Sequence, residues 1–212
     1  MEQERATEPA NERVYRTLRT RIMHGEMEPG QALTLRGIGK DFNASMTPAR
    51  EAVQRLAAEA ALSLSSTGRI TVPSLSNERI EELASIRALL EPELAARALP
   101  RAHSALIERL DVINHNIAQT IAKSDAVGYV RTNLEFHRTL YLRAQSPAML
   151  ALVETVWLQA GPTMRSLYRR LPNKRAAEKH QTILQTLRAG DEPGLRLAIR
   201  SDVTSGLRML LT

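Results

Sequence analysis

Hydrophobic residues recur at helical spacing along most of the chain, and strand-like alternation is confined to one short stretch. In the first third, the spacing predicts helices over residues 11–23, 35–42 and 45–62. Residues 62–64 and 70–72 then alternate like strands on either side of a Ser-Thr-Gly turn. The pattern therefore predicts three helices followed by a two-stranded wing.

Beyond residue 75 the helical period continues, without strand-like alternation of any length. Prolines and glycines divide this part into six predicted helices. Pro92 falls inside the first of them, and we expect it to kink that helix without ending it, because Leu94, Ala95 and Ala98 continue the apolar face. The six predicted helices cover residues 77–99, 103–123, 126–144, 147–169, 174–189 and 193–211.

The predicted fold class is mostly α-helical. We expect a disordered tail over residues 1–10, a winged helix-turn-helix domain over 11–75, and an antiparallel helical bundle over 76–212. The net charge is +6, but the N-terminal domain carries nine basic residues against six acidic ones, and the bundle nineteen against fourteen. The placement of single arginines therefore matters more than the total charge.

Composition excludes several classes of protein. The chain has no cysteine, which excludes disulfides and thiolate metal sites. No apolar run approaches the length that spans a membrane, and the first ten residues are acidic and polar, unlike a signal peptide. These features predict a soluble cytoplasmic protein.

The helix predicted over residues 45–62 has the features of a recognition helix. Ser45 is expected to cap it through its hydroxyl, and Pro48 falls in the first turn, where a missing N–H costs nothing. The N-terminal end of such a helix enters the major groove, so Ser45, Thr47 and Arg50 are candidate DNA contacts. The face expected to be buried consists of Ala52, Val53, Leu56 and Ala60.

A Ser-x-x-Pro followed by an arginine could belong to any small helical module. Here a Pro-Gly turn, a short second helix and a glycine-centred wing accompany it in the order that a DNA-binding domain requires. The whole set predicts DNA binding.

The predicted bundle carries polar residues on its inward faces. Asn133 and His137 lie one turn apart on one apolar stripe, and His180 and Asp202 lie on the stripes of two other helices. A carboxylate on such a stripe needs a cationic or metal partner. These four side chains could hold a divalent metal such as Zn²⁺, Mn²⁺ or Ni²⁺. The alternative is a polar core in which His180 pairs with Asp202 and Asn133 bonds a neighbouring helix.

Residues 21–62 resemble the N-terminal domain of GntR-superfamily regulators, and the helical remainder resembles the FCD domain of their FadR-type branch. The resemblance covers residues 11–211 and implies that the helical bundle, residues 76–212, serves for effector binding and dimerisation. Family members usually read Ser-Arg-Thr-Pro at the recognition helix, and this chain has Met46 in place of that arginine. The DNA contacts that the resemblance implies are Arg36, Thr47, Arg50, Gly68 and Arg69.

In the helical domain, the resemblance implies a metal held by one aspartate and three histidines. His137 and His180 match two of the histidines, Asn133 stands where the family has its aspartate, and Asp202 stands where it has the last histidine. The carboxylate has in effect moved across the site, so the total ligand charge is preserved if all four side chains converge.

Arg87 matches the family's cavity arginine, which implies that it grips a small carboxylate effector beside the metal. The alternative for Arg87 is a salt bridge with Glu91 at i+4. The function implied is that of a homodimeric repressor, released from a palindromic operator by its effector. Two other classes of protein stay open. One is a metal-dependent enzyme with a DNA-binding-like N-terminal domain, although no general base or nucleophile lies at a plausible spacing. The other is an architectural DNA-binding protein whose helical half is purely structural.

Overall fold

The computed structural model describes residues 8–170 and 176–208. These residues form nine α-helices, two single 3₁₀ turns and one small antiparallel sheet, so the predicted fold class is confirmed. Helix α1 begins at Ala10, and residues 1–7 of the predicted tail lie outside the described ranges. The helices are α1 (Ala10–Met23), α2 (Leu35–Asp41), α3 (Met46–Ala58), α4 (Asn77–Ala98), α5 (Ser104–Ala122), α6 (Ala126–Tyr141), α7 (Pro147–Arg170), α8 (Ala176–Ala189) and α9 (Glu192–Arg208).

The N-terminal module packs α1 against α3 around a hydrophobic core of its own. Helix α1 ends at Met23, and Gly25 follows with a φ of +69°, a backbone conformation that glycine adopts without steric cost. The side chains that α1 and α3 bury between them are Val14, Leu18, Ile22, Ala49, Ala52, Val53 and Leu56.

The predicted cap of the recognition helix is wrong. Ser45 does occupy the position before the first residue of α3, but its side chain makes no capping hydrogen bond. By contrast, Thr34 caps α2, because its hydroxyl accepts a hydrogen bond of 3.0 Å from the N–H of Gly37.

The recognition helix is also shorter than predicted. It ends at Ala58, because the N–H groups of Ala61 and Leu62 both turn back to the carbonyl of Leu56. Ala60 therefore lies outside the helix with a φ of +56° and is exposed, so its predicted burial is wrong.

The wing contains one strand more than predicted. Strands β2 (Ser63–Leu64) and β3 (Ile70–Thr71) form the expected hairpin, and Gly68 turns between them with a φ of +80°. Strand β1 (Ala32–Leu33) pairs antiparallel with the other edge of β3. A strand of two residues is too short to show alternation, so periodicity could not have revealed it.

The helical half forms a second core from α4 to α9. All six predicted helices are present, and α4 runs from Asn77 to Ala98 with Pro92 inside it, as expected. Helix α6 stops at Tyr141, and residues 142–144, predicted as helical, form a 3₁₀ turn instead. Helix α4 packs mainly against α9, while α5 packs against α6 and α8. Residues 174–175 and 209–211 of the predicted helices lie outside the described ranges.

Helix α7 belongs to both cores. Its Leu158 is fully buried in the core of the N-terminal module, whereas the adjacent Trp157 is buried in the core of the helical half. About two turns further along the helix, Arg165 donates hydrogen bonds to the carbonyl oxygens of Gly25 and Glu26, at 3.4 and 3.2 Å. Helix α7 thus contacts both the N-terminal module, called the head below, and the interior of the bundle.

Among the helices of residues 8–170 and 176–208 we find no candidate membrane-spanning segment.

Candidate metal centre and nucleic-acid interface

Three of the four predicted ligand residues converge inside the bundle. His137 on α6, His180 on α8 and Asp202 on α9 offer ligand atoms that all lie within 4.8 Å of one another. The Oδ2 atom of Asp202 is 3.1 Å from Nε2 of His137 and 3.7 Å from Nε2 of His180. Both imidazoles are fully buried. Helical periodicity alone put these residues on inward faces, and the packing of three helices brings them together.

Several nitrogen atoms of this centre lack hydrogen-bond partners among the described residues: Nε2 of His137 and both ring nitrogens of His180. His137 and Asp202 are close without the angles of a hydrogen bond, and His180 and Asp202 are too far apart for one. Buried polar atoms without partners are rare and costly. A divalent cation could accept one lone pair from each imidazole, so the residues present fit a metal ion.

The charge states of Asp202 and His180 also suit a metal ion. Burial raises the pKa of the Asp202 carboxyl, but the contacts with His137 and His180 outweigh burial and hold that pKa well below its usual range. Burial lowers the pKa of the His180 imidazole, and this outweighs the opposing effect of Asp202. The centre therefore presents a carboxylate and a neutral imidazole, which are the forms that bind metals.

Aromatic packing fixes the orientation of His180. Its ring stacks on Phe136 with 4.0 Å between centroids and 4° between planes. Phe136 is fully buried on α6, next to His137, so the same helix carries one candidate ligand and the ring against which another is held.

Asn133, the fourth predicted ligand, lies one turn before His137 and is buried. Together with Arg87, Trp157 and Met164 it lines a narrow cavity that has room for about one water molecule. Its place as a metal ligand stays a prediction.

Arg87 forms a buried ion pair with Glu91 in the same helix. The Nε atom lies 2.5 Å from Oε1 of Glu91, and both residues are almost completely excluded from solvent. Burial lowers the pKa of the Arg87 guanidinium, but Glu91 outweighs this and the net shift is upward, so the charge is kept. The salt bridge with Glu91, which was the alternative to effector binding, is thus present in the interior. Arg87 also lines the cavity beside Asn133.

Two large aromatic residues of the interior, Tyr141 and Trp157, have polar roles. The Tyr141 hydroxyl donates to Oε2 of Glu91 at 2.9 Å, and the Trp157 indole N–H donates to Oε1 at 3.0 Å. The sequence does contain a signal for them: Glu91 lies on an inward face and a buried carboxylate needs donors, but which donors it finds depends on the packing of α4 against α6 and α7.

The predicted DNA contacts lie on the surface of the N-terminal module. Within the described ranges, the side chains of Arg36, Arg50 and Arg69 are exposed and make no hydrogen bond or ion pair. Other arginines of this module are committed to neighbouring acids: Arg19 pairs with Glu59 at 3.0 Å, and similar pairs hold Arg16, Arg21 and Arg55. The unpaired arginines lie on α2, α3 and the wing, which are the elements expected to contact a DNA groove and its flanking phosphates. Ser45, Thr47 and Gly68 are exposed on the same elements.

Residues 82–205 match the family described as "FCD domain", and residues 10–72 match "Bacterial regulatory proteins, gntR family". The first match alone spans more than half of the chain. The chain is a GntR-family regulator with an FCD domain. The resemblance seen in the sequence is thereby confirmed.

Relatives of this GntR-family chain are transcription regulators. The HTH-type transcriptional regulator McbR of Escherichia coli K12 is 25% identical over 200 residues, which cover 93% of this chain and 90% of that protein. The gluconate operon transcriptional repressor of Bacillus subtilis 168 is 28% identical over 175 residues, which cover 82% and 70%. The family consists of DNA-binding regulators that respond to ligands and not of enzymes, so the enzyme alternative is set aside.

Solved structures show the same fold. E. coli McbR/YncC superposes with a TM-score of 0.88 at 24% identity, covering 97% of this chain and 98% of that one. A putative GntR regulator from Rhodococcus sp. RHA1 superposes with a TM-score of 0.78 at 21% identity, covering 95% and 97%.

Proposed function

We propose that this GntR-family regulator is a homodimeric repressor that leaves a palindromic operator when a small carboxylate binds beside a metal ion in its FCD domain. The observation that carries the proposal is the buried convergence of His137, His180 and Asp202, with nitrogen lone pairs that the described residues leave unpartnered. A relative that is itself named a gluconate operon repressor supports both the repression and the carboxylate class.

The proposed DNA-binding domain spans residues 11–75, and the proposed effector-binding and dimerisation domain spans 76–212. In the head, Arg50 would read a base edge from the start of the recognition helix. A two-fold dimer would set two such helices about 34–36 Å apart, or a multiple of that, which is why the operator should be palindromic. The remaining proposed contacts are Arg36, Ser45, Thr47, Gly68 and Arg69.

His137, His180 and Asp202 would hold the metal ion, with Asn133 as a fourth ligand. Two imidazoles and a carboxylate suit Zn²⁺, Mn²⁺ or Ni²⁺. Once bound, the ion supplies a Lewis acid to which an effector carboxylate can attach.

Arg87, which lines the cavity together with Asn133, would bind the same effector through its guanidinium. Because Glu91 already occupies Arg87 and the cavity has room for about one water, an effector can enter only if side chains around the cavity move. Trp157 and Gly161 of α7 form part of the cavity wall.

Such a movement would reach the head through α7. Leu158 and Arg165 of that helix contact the N-terminal module directly, so a displacement of α7 changes how the head is held. The effector must bind the two arrangements with different affinities, typically by about 1–3 kcal/mol, for the operator affinity to respond.

The test begins with elemental analysis of protein purified without chelator and with selection of an operator from random duplexes. Near-stoichiometric metal together with an enriched palindrome supports the proposal. Protein that carries no metal and takes none up, or an enriched site without two-fold symmetry, contradicts it.

A further inference from the structure

Glu91 is the centre of a buried hydrogen-bond network that joins three helices. Its side chain is completely excluded from solvent. Its two carboxylate oxygens accept from Nε and Nη2 of Arg87 at 2.5 and 3.4 Å, from the hydroxyl of Tyr141 at 2.9 Å, and from the indole of Trp157 at 3.0 Å. A carboxylate can accept about four hydrogen bonds, so Glu91 is fully used and firmly held.

The network continues from Tyr141 to His137, whose Nδ1 lies 3.1 Å from the Tyr141 hydroxyl oxygen. A tyrosine hydroxyl has a single proton, and Tyr141 gives that proton to Glu91, which as a carboxylate can only accept. Towards His137 the hydroxyl oxygen must therefore accept, and Nδ1 of His137 must carry a hydrogen.

In a neutral imidazole one nitrogen donates and the other has a free lone pair. With its proton on Nδ1, His137 presents the lone pair of Nε2, the atom that lies 3.1 Å from Oδ2 of Asp202 and has no hydrogen-bond partner in the described structure. The lone pair thus faces the candidate metal centre.

We infer that Glu91 and Tyr141 are positioning residues that hold His137 in the Nδ1–H tautomer, with Nε2 ready to bind a metal ion. Hydrogen bonds to the second nitrogen of a ligand histidine fix its tautomer and orientation and make it a better ligand. The proton on Nδ1 follows from the hydrogen bonds, and Nε2 is unprotonated because a buried N–H there would have no acceptor at hydrogen-bond geometry. The effect on metal affinity rests on the proposed function, so the two are tested separately.

The tautomer is read by long-range ¹H–¹⁵N correlation NMR of the metal-free full-length protein with labelled histidines. The chain has five histidines, and the His137→Gln variant identifies the signal of His137. We expect a protonated Nδ1 and an unprotonated Nε2 in the wild-type protein, and a mixture of both tautomers in Tyr141→Phe. A wild-type His137 that carries a proton on Nε2, either alone or together with one on Nδ1, overturns the inference, whether or not Tyr141→Phe folds.

The positioning effect is read by zinc titration against a competing chelator. Tyr141→Phe should weaken zinc binding by about 10- to 100-fold. Tyr168→Phe is the matched control: it removes a tyrosine hydroxyl that bonds the carbonyls of Thr120 and Ile121, and it should bind zinc as the wild type does. Circular dichroism confirms that both variants fold.

The outcomes separate the inference from the proposal on which it rests. If the wild type binds zinc and Tyr141→Phe binds it equally well, the positioning role is wrong while the metal site stands. If the wild type binds no zinc, the proposed metal site and the positioning role both fail, and the NMR result alone decides the tautomer.

Discussion

Replacement of Gly161 by alanine should loosen the docking of the head on α7. A Cβ at this position would lie 2.3 Å from the carbonyl oxygen of Met23 and 2.6 Å from that of Ile22. Both are backbone atoms at the end of α1, so neither can rotate away. Ordinary contact begins near 3.4 Å, and the two helices would have to separate by about 1 Å.

The size of the effect follows from what that separation disturbs. Overpacking of a close contact costs about 1–3 kcal/mol. For a chain of this length, each kcal/mol corresponds to about 2–4 °C in melting temperature, so Gly161→Ala should melt about 2–12 °C lower. The same separation pulls Leu158 out of the head's core and lengthens the hydrogen bonds from Arg165 to Gly25 and Glu26.

Hydrogen exchange locates the effect. Backbone amides of residues 20–26 should exchange faster in Gly161→Ala, because the end of α1 loses its support. Gly190→Ala is the control: its φ of +66° makes alanine strained there, but nothing lies within 4 Å of the new Cβ, so it lowers stability without touching α1. Faster exchange at residues 20–26 in both variants, or in neither, would refute the assignment of α7 as the helix that holds the head.

Three further predictions concern the DNA, the metal and the buried ion pair. Arg50→Ala should weaken operator binding by about 1–3 kcal/mol at fixed salt, measured by fluorescence anisotropy. The control Arg138→Ala, which removes an exposed arginine paired with Glu154, should bind the operator as the wild type does. Equal affinity of the two variants would contradict a base contact by Arg50. Zinc at about 100 times its Kd should stabilise the wild type by about 2.7 kcal/mol in a thermal melt, and an equal gain in His180→Ala would place the ion elsewhere. Arg87→Ala should lower the free energy of unfolding by about 3–5 kcal/mol in denaturant titration, because it leaves the Glu91 carboxylate buried and unpaired. A loss below about 1 kcal/mol would contradict the burial of this ion pair.

The sequence was sufficient for the elements that are long and strongly periodic. All six helices of the bundle were predicted to within a few residues. Asp202 was expected to have a cationic or metal partner because a carboxylate on an apolar stripe is costly; it lies beside His137 and His180, and the metal partner stays a prediction. The predictions that proved wrong concern the ends of the recognition helix, which depend on details of the backbone. The Ser45 hydroxyl makes no cap, and Ala60 lies beyond the end of the helix.

The polar network around Glu91 could not be predicted from spacing. Arg87 and Glu91 are four residues apart in one helix, which the sequence shows, but Tyr141 and Trp157 come from helices 50 and 66 residues away. Both residue types pack equally well as plain core, and only the tertiary arrangement brings their polar ends to one carboxylate.

The measurement that tests the account most directly is operator affinity as a function of metal and carboxylate together. Chelator-treated protein is titrated onto the selected operator with and without zinc, in the presence of a panel of small carboxylates. The account predicts that one carboxylate lowers operator affinity by about 5- to 150-fold in the zinc-loaded wild type and has no effect in His180→Ala. A carboxylate that releases the operator equally from zinc-free protein and from His180→Ala would contradict a metal-anchored effector site.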